Sequence, residues 1–342
     1  MLTTTSNTET ARKWQTLRAV AMAASGGLIL TLFLAPDTGT RLLWNLLIPL
    51  VPAIAVFLPG WWRNVCPMAT TASAGKVVTG RTGRRMSIRA QGIAAVGSVA
   101  LIGLIVPLRH LVLDMNGPAT AVTLLAAAAA AMVLGTVYLD KSGWCAGWCP
   151  IVAVEKLYGQ VPVFEGENAR CTLCSHCVAI CPDTKKSGIS RNAPTAWHRT
   201  AETIMAGGFV GFVWGWFQVP NQIGAIALSD VALAYGKPLA GAAVTLTIYL
   251  ILRGGLAERS QQRLIRVLGA AAVICYYWFR LPALFGFAVF PGDGVLLNLS
   301  QTLPDTFPWL CRIVSTTVLA VWMLDDNGAK RWMLRPPSKA AA

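Results

Sequence analysis

Cys171, Cys174, Cys177 and Cys181, the last followed by Pro182, are spaced C-x2-C-x2-C-x3-C-P. Two-cluster iron–sulfur proteins hold [4Fe–4S] cubanes with this spacing. Three thiolates two residues apart can curl round one face of a cluster, and the backbone N–H groups between them point at its sulfides. A structural zinc site more often takes two separated cysteine pairs. The compact block therefore points to iron and sulfide. The fourth cysteine, set off by three residues and a proline, aims away from the other three. In two-cluster proteins it ligates the second cluster.

A second set of cysteines precedes this run. Trp144, Cys145, Trp148, Cys149 and Pro150 align with Trp61, Trp62, Cys66 and Pro67: Trp144 on Trp61, Cys149 on Cys66, Pro150 on Pro67. Cys145 meets Trp62. Each motif follows a pair of long apolar stretches, so the pattern reads as a duplicated unit of two helices and a Cys-Pro end.

The elements that position these cysteines are apolar. Hydrophobic residues make up 55% of the 342, charged residues only 13%, and mean hydropathy is +0.54. Soluble domains are nearer a quarter charged, so the chain reads as an integral membrane protein. The expected fold is an all-α polytopic membrane protein of about eight transmembrane helices, with a small cytoplasmic ferredoxin-like iron–sulfur insert. A polar tail over 1–16 leads into two hairpins over 17–139, with spans at 17–34, 42–58, 92–111 and 119–139. The insert covers 140–200. Four further spans over 201–324 fall at 203–219, 238–252, 264–279 and 308–324, and a basic tail covers 325–342. The segment 61–89 reads as a basic loop, 223–235 as interfacial and 285–297 as re-entrant or surface.

Net charge is +14, from 29 Lys and Arg against 15 Asp and Glu. In this context the excess reads as basic cytoplasmic loops, not as a nucleic-acid surface. With the N-terminus inside, the tails, 61–89, 140–200 and 253–263 lie in the cytoplasm and hold most of the Lys and Arg. The inverted arrangement fails that test. The expected location is a bacterial-type inner membrane, with both termini and the cluster cytoplasmic. Thiols there stay reduced.

Cys-Pro motifs at the ends of membrane helices, followed by a ferredoxin-type run, resemble the NapH/NosR/CcoG group of membrane-bound ferredoxin-type proteins. The resemblance covers about 61–182. It implies electron transfer between the quinone pool, or a cytoplasmic donor, and a partner redox protein. Two features depart from the group's pattern. Trp62 replaces a cysteine of the first C-x3-C-P motif, and one ferredoxin run stands where two are usual.

The ligand count leaves two arrangements open. Two clusters need eight cysteines, and seven are at hand. Cys171, Cys174 and Cys177 with Cys149 form one set. Cys181 with Cys66 and Cys145 forms an incomplete second, open to a carboxylate such as Asp183 or to solvent. The other arrangement is one cluster on Cys171, Cys174, Cys177 and Cys181. Cys275 and Cys311, inside apolar spans, read as small buried hydrophobes. No haem is expected, because none of His110, His176 and His198 sits in a span interior and no CxxCH is present. Phosphate-loop, GxGxxG and HExxH motifs are missing. Asn45, Gln91 and Glu155 are weak quinone-contact candidates. Electron relay is the leading function. A cluster-based metal reductase serving assembly of a respiratory complex is the alternative, and a redox sensor is the third.

Overall fold

A computed structural model describes residues 3–80, 83–84, 86–138, 143–159, 163 and 194–324. The run 171–181, with the ferredoxin-like fold expected for it, and the tail 325–342 lie outside the described residues.

The described chain is helical, with no β-strand among the described residues. Helices suit a lipid surrounding because every interior N–H and C=O pairs within its own segment. In chain order they are α1 Thr3–Leu34, α2 Pro36–Thr40, α3 Ile48–Phe57, α4 Pro59–Val65, α5 Pro67–Thr79, α6 Ile88–Leu108, α7 Gly117–Val137 and α8 Pro150–Tyr158. They continue as α9 Ala196–Trp216, α10 Leu228–Gly254, α11 Glu258–Leu284 and α12 Phe307–Leu324. Wider π-helical turns occupy Arg41–Leu47, Arg109–Leu113 and Trp144–Trp148.

Among the described residues, seven segments are long and apolar enough to cross a membrane: Arg12–Leu34, Pro36–Phe57, Ile88–Leu113, Gly117–Val137, Leu228–Gly254, Arg259–Leu284 and Phe307–Leu324. The eighth expected span, 203–219, falls mostly in α9, which is not among them. α9 carries Glu202 and four glycines on a largely buried surface, so protein rather than lipid surrounds it. Its glycines let α10 approach closely. A Cβ at Gly211 would stand 1.9 Å from the Gly241 carbonyl oxygen, and one at Gly215 would stand 2.4 Å from that of Lys237. Small residues at such spacing are the usual device for close helix contact in membranes.

Two other segments differ from the sequence reading. Most of the expected loop 61–89 is α4 and α5, and α5 packs on α7. A Cβ at Gly135 would sit 1.8 Å from the Ala72 carbonyl oxygen, so the two backbones nearly touch. The expected interfacial segment 223–235 merges into α10, whose start is capped by Asp230 Oδ2 accepting from Ala227 N at 2.8 Å. An aspartate at the first turn is favourable, not disruptive.

The bundle has two distinct ends. One gathers Cys66, the Trp144–Trp148 turn, α8, the start of α9 and the α10–α11 connection. Across it, Arg18 Nε donates to the Asn64 carbonyl (2.8 Å) and Val163 N donates to that of Phe57 (2.8 Å). The opposite end is closed by a buried polar network. Arg109 donates from Nε to Asp114 (2.9 Å) and lies between the rings of Trp44 (4.1 Å) and Trp216 (4.8 Å). His110 Nδ1 lies 2.7 Å from Asn221 Oδ1, and Asn221 N donates to Asp293 (2.9 Å). Arg280 bonds the Asn45 side chain and the Trp44 carbonyl. The expected re-entrant segment 285–297 is a series of turns on this end, with Gly286, Gly292 and Gly294 at positive φ. Between the ends, the Tyr277 hydroxyl accepts from Ala53 N (2.9 Å) and donates to the Pro49 carbonyl (2.8 Å). It is spliced into the α3 ladder beside Pro52.

A candidate cysteine centre

Both Cys-Pro motifs set the cysteine in the same backbone conformation, after an α-helix in the first and a π-helical turn in the second. Cys66 follows α4 and precedes α5 with φ −54° and ψ 123°. Cys149 follows the Trp144–Trp148 turn and precedes α8 with φ −63° and ψ 119°. A following proline drives each cysteine out of the helical region. Each cysteine's N–H closes the preceding turn: Cys66 N donates to the Trp62 carbonyl (2.8 Å) and Cys149 N to that of Trp144 (2.9 Å). Each carbonyl then accepts from the next helix, from Thr70 N (3.1 Å) and from Val152 N (3.2 Å). The tryptophans have diverged. Trp144 is 6% exposed and Trp61 is 41% exposed.

The two cysteines are brought close enough that charge on Cys66 raises the Cys149 thiol. Burial is the larger cause, and together they push Cys149 up to about 12. The N–H groups of Ile151 and Val152 at the open end of α8, and the Arg63 guanidinium, act the other way. Without a bound cation the thiol is neutral at ordinary pH. A soft metal cation is what would stabilise the thiolate. Cys145 packs beside Cys149 on Trp144, Ala72 and Ala131.

A buried ion pair joins the motifs. Arg63, three residues before Cys66, donates from Nε to both Glu155 oxygens at 2.8 Å. Arg63 is 6% exposed and Glu155 3%. Ser98 on α6 donates to the Cys149 carbonyl at 2.7 Å. Gly97 leaves room for the Trp148 ring, which a Cβ there would meet at 2.2 Å.

Among the described residues no three His, Cys, Asp or Glu side chains converge as a metal site. Cys171, Cys174, Cys177 and Cys181 lie outside the described residues. What the described part supplies fits an iron–sulfur centre in its donor chemistry. It offers the partly buried Cys145 and Cys149 packed on one cluster of side chains, a helix start facing Cys149, and the Trp144 indole N–H, a buried donor with no acceptor among the described residues.

The three quinone-contact candidates do not form one pocket. Asn45 donates to the Val295 carbonyl (3.0 Å) at the opposite end, Gln91 to that of Met86 (2.9 Å), and Glu155 holds Arg63. The structure instead opens a cleft beside Gly147, lined by Ser98, Lys156, His198, Glu202 and Met205. His198 Nδ1 accepts from Thr195 N (3.2 Å), and burial, then Lys156, hold it down at about 4. Burial raises Glu202. Sequence reading missed this cleft, because its polar groups come from α6, α8 and α9 and share no motif. Cys275 and Cys311 are partly buried on α11 and α12. Comparison with known proteins finds no matching family model, no matching curated protein and no matching solved structure.

Proposed function

We propose that this chain is a membrane electron-transfer protein. It relays single electrons through one or two [4Fe–4S] clusters at the cysteine end of the bundle, between the quinone pool or a cytoplasmic donor and a partner redox protein. The observation that carries the reading is the C-x2-C-x2-C-x3-C-P run over 171–182. What supports it further is the matching backbone setting of Cys66 and Cys149, with Cys145 packed in the same side-chain cluster as Cys149. In the two-cluster form Cys171, Cys174 and Cys177 with Cys149 would hold one cluster and Cys181 with Cys66 and Cys145 the second; in the one-cluster form Cys171, Cys174, Cys177 and Cys181 would hold it alone. The cluster would supply one-electron redox chemistry without proton transfer at iron. The chain's own residues bury the site and hold its thiols. Trp144 and Trp148 keep water from Cys149, and the cleft of Lys156, His198 and Glu202 gives an apolar donor with a polar head a place to approach. The cysteine end, with both termini, would face the cytoplasm, and the exposed apolar helix faces would meet lipid.

The experiment is cysteine replacement followed by iron analysis and EPR. Cys181→Ser and Cys145→Ser are expected to lose the same part of the iron and the same signal, and Cys171→Ser a different signal. If Cys145→Ser changes nothing while Cys181→Ser abolishes everything, one cluster is present and the hairpin cysteines do not ligate it.

A further inference from the structure

The cleft between α6, α8 and α9 joins an apolar wall to a group of charges. Ala95 and Val99 on α6, Val152, Ala153 and Leu157 on α8 and Met205 on α9 form the wall. Along α9 the lining passes from His198 and Glu202 to Met205 and Ala206, so its polar groups lie towards the helix start. Glu202 is the one acid among the lining residues. Three cations stand around it. Lys156 lines the cleft with it. Arg199, exposed, precedes it by three residues and shares its helix face. Arg253 reaches across from α10 and donates from Nη1 to Thr203 Oγ1 at 3.2 Å. All three hold the Glu202 carboxyl down against the burial that raises it. His198, held at about 4, adds no charge at neutral pH. One carboxylate therefore faces an excess of positive charge.

The charged end of the cleft also has a depth. Trp197 is 45% exposed and backs onto α6, where a Cβ at Gly92 would meet its Cβ at 2.9 Å. Arg89, in the first turn of α6, is exposed. Exposed tryptophan and arginine at the ends of apolar helices mark the level of lipid headgroups. Basic pockets between membrane helices at that level suit phosphate headgroups. We propose that this cleft is a binding site for one anionic phospholipid. Lys156, Arg199 and Arg253 receive the phosphate, and the wall of α6 and α8 receives an acyl chain. The site needs no cluster and does not rest on the electron-transfer reading. A lipid seated there competes with any donor that uses the same cleft.

The test is native mass spectrometry of the purified full-length protein, titrated with phosphatidylglycerol, phosphatidylcholine or inorganic phosphate. One phosphatidylglycerol per chain should stay bound, on the order of tenfold more tightly than phosphatidylcholine, and inorganic phosphate should not displace it. Lys156→Gln and Arg199→Gln should each weaken it roughly fivefold. Arg259→Gln, which removes an exposed cation of the α10–α11 connection, should not. Ala95→Phe fills the groove, keeps every charge and should also weaken phosphatidylglycerol. Equal binding of the two lipids, or an equal loss in Arg259→Gln, would mean that a basic surface holds lipid without a site. Displacement by inorganic phosphate, with Ala95→Phe binding phosphatidylglycerol like the parent, would mean a free-phosphate site. Each of these results overturns the phospholipid site, and iron and sulfide analysis still judges the electron-transfer reading separately. If Ala95→Phe does not fold, the three charge variants and the phosphate competition decide.

Discussion

Cys66 and Cys149, 83 positions apart in sequence, differ by only 9° in φ and 4° in ψ. Each ends one helical turn and starts the next at a proline, and the two thiols are near enough to act on each other electrostatically. Proline explains the local conformation. It does not explain why two separate hairpins deliver these cysteines to one place. The duplicated unit that the sequence predicts would.

The Arg63–Glu155 pair should be costly to break on one side. Glu155→Ala leaves a buried guanidinium without its partner and should destabilise the protein by roughly 3–5 kcal/mol. Replacing both residues with well-packed apolar ones should cost far less. Thermal unfolding in detergent of the single and double variants checks this.

Close contact of α9 and α10 depends on Gly211 and Gly241. Gly211→Val pushes a side chain into the Gly241 carbonyl and should cost roughly 1–3 kcal/mol or more. Gly236→Ala, at a position with nothing within 4 Å, should be neutral or slightly stabilising. The two variants compared in one unfolding series separate packing from helix propensity.

His198 gives a pH dependence with a definite sign. It is held near 4 in the folded protein against 6.5 unfolded. Below pH 6.5 the unfolded chain takes up a proton that the folded one refuses. Stability from this group is therefore full above about 6.5, falls as pH drops, and levels off below about 4. His198→Gln should flatten that part of the stability profile.

The distribution of basic charge predicts the sidedness. A periplasm-active reporter fused after Ala342 should give no signal, and one inserted near Asn116 should give a strong one. Reversed signals would put the cysteine end on the far side of the membrane.

Much of this architecture was readable from sequence, because apolar length is the constraint that a bilayer imposes most strongly. The hairpins and the last three spans follow from it. The central helix α9 was harder: its glycines and Glu202 lower its hydropathy because protein surrounds it. The helix over 67–79 reads in the sequence as part of a basic loop, because small residues such as Ala72 and Gly75 stand where a span has large apolar ones. They are small because α7 lies directly against them. The ion pair and the polar network around Arg109, His110 and Arg280 join residues up to 236 positions apart, and no local pattern announces such partners.

The central claim is that cysteines hold iron–sulfur clusters. Anaerobic purification of the full chain, with iron and acid-labile sulfide counted per protein and EPR recorded after dithionite reduction, tests it most directly. The account predicts iron and sulfide in equal amounts, about four of each per cluster, and a reduced-cluster signal that Cys171→Ser removes. Zinc in place of iron, or a protein free of sulfide that keeps its fold, would contradict it.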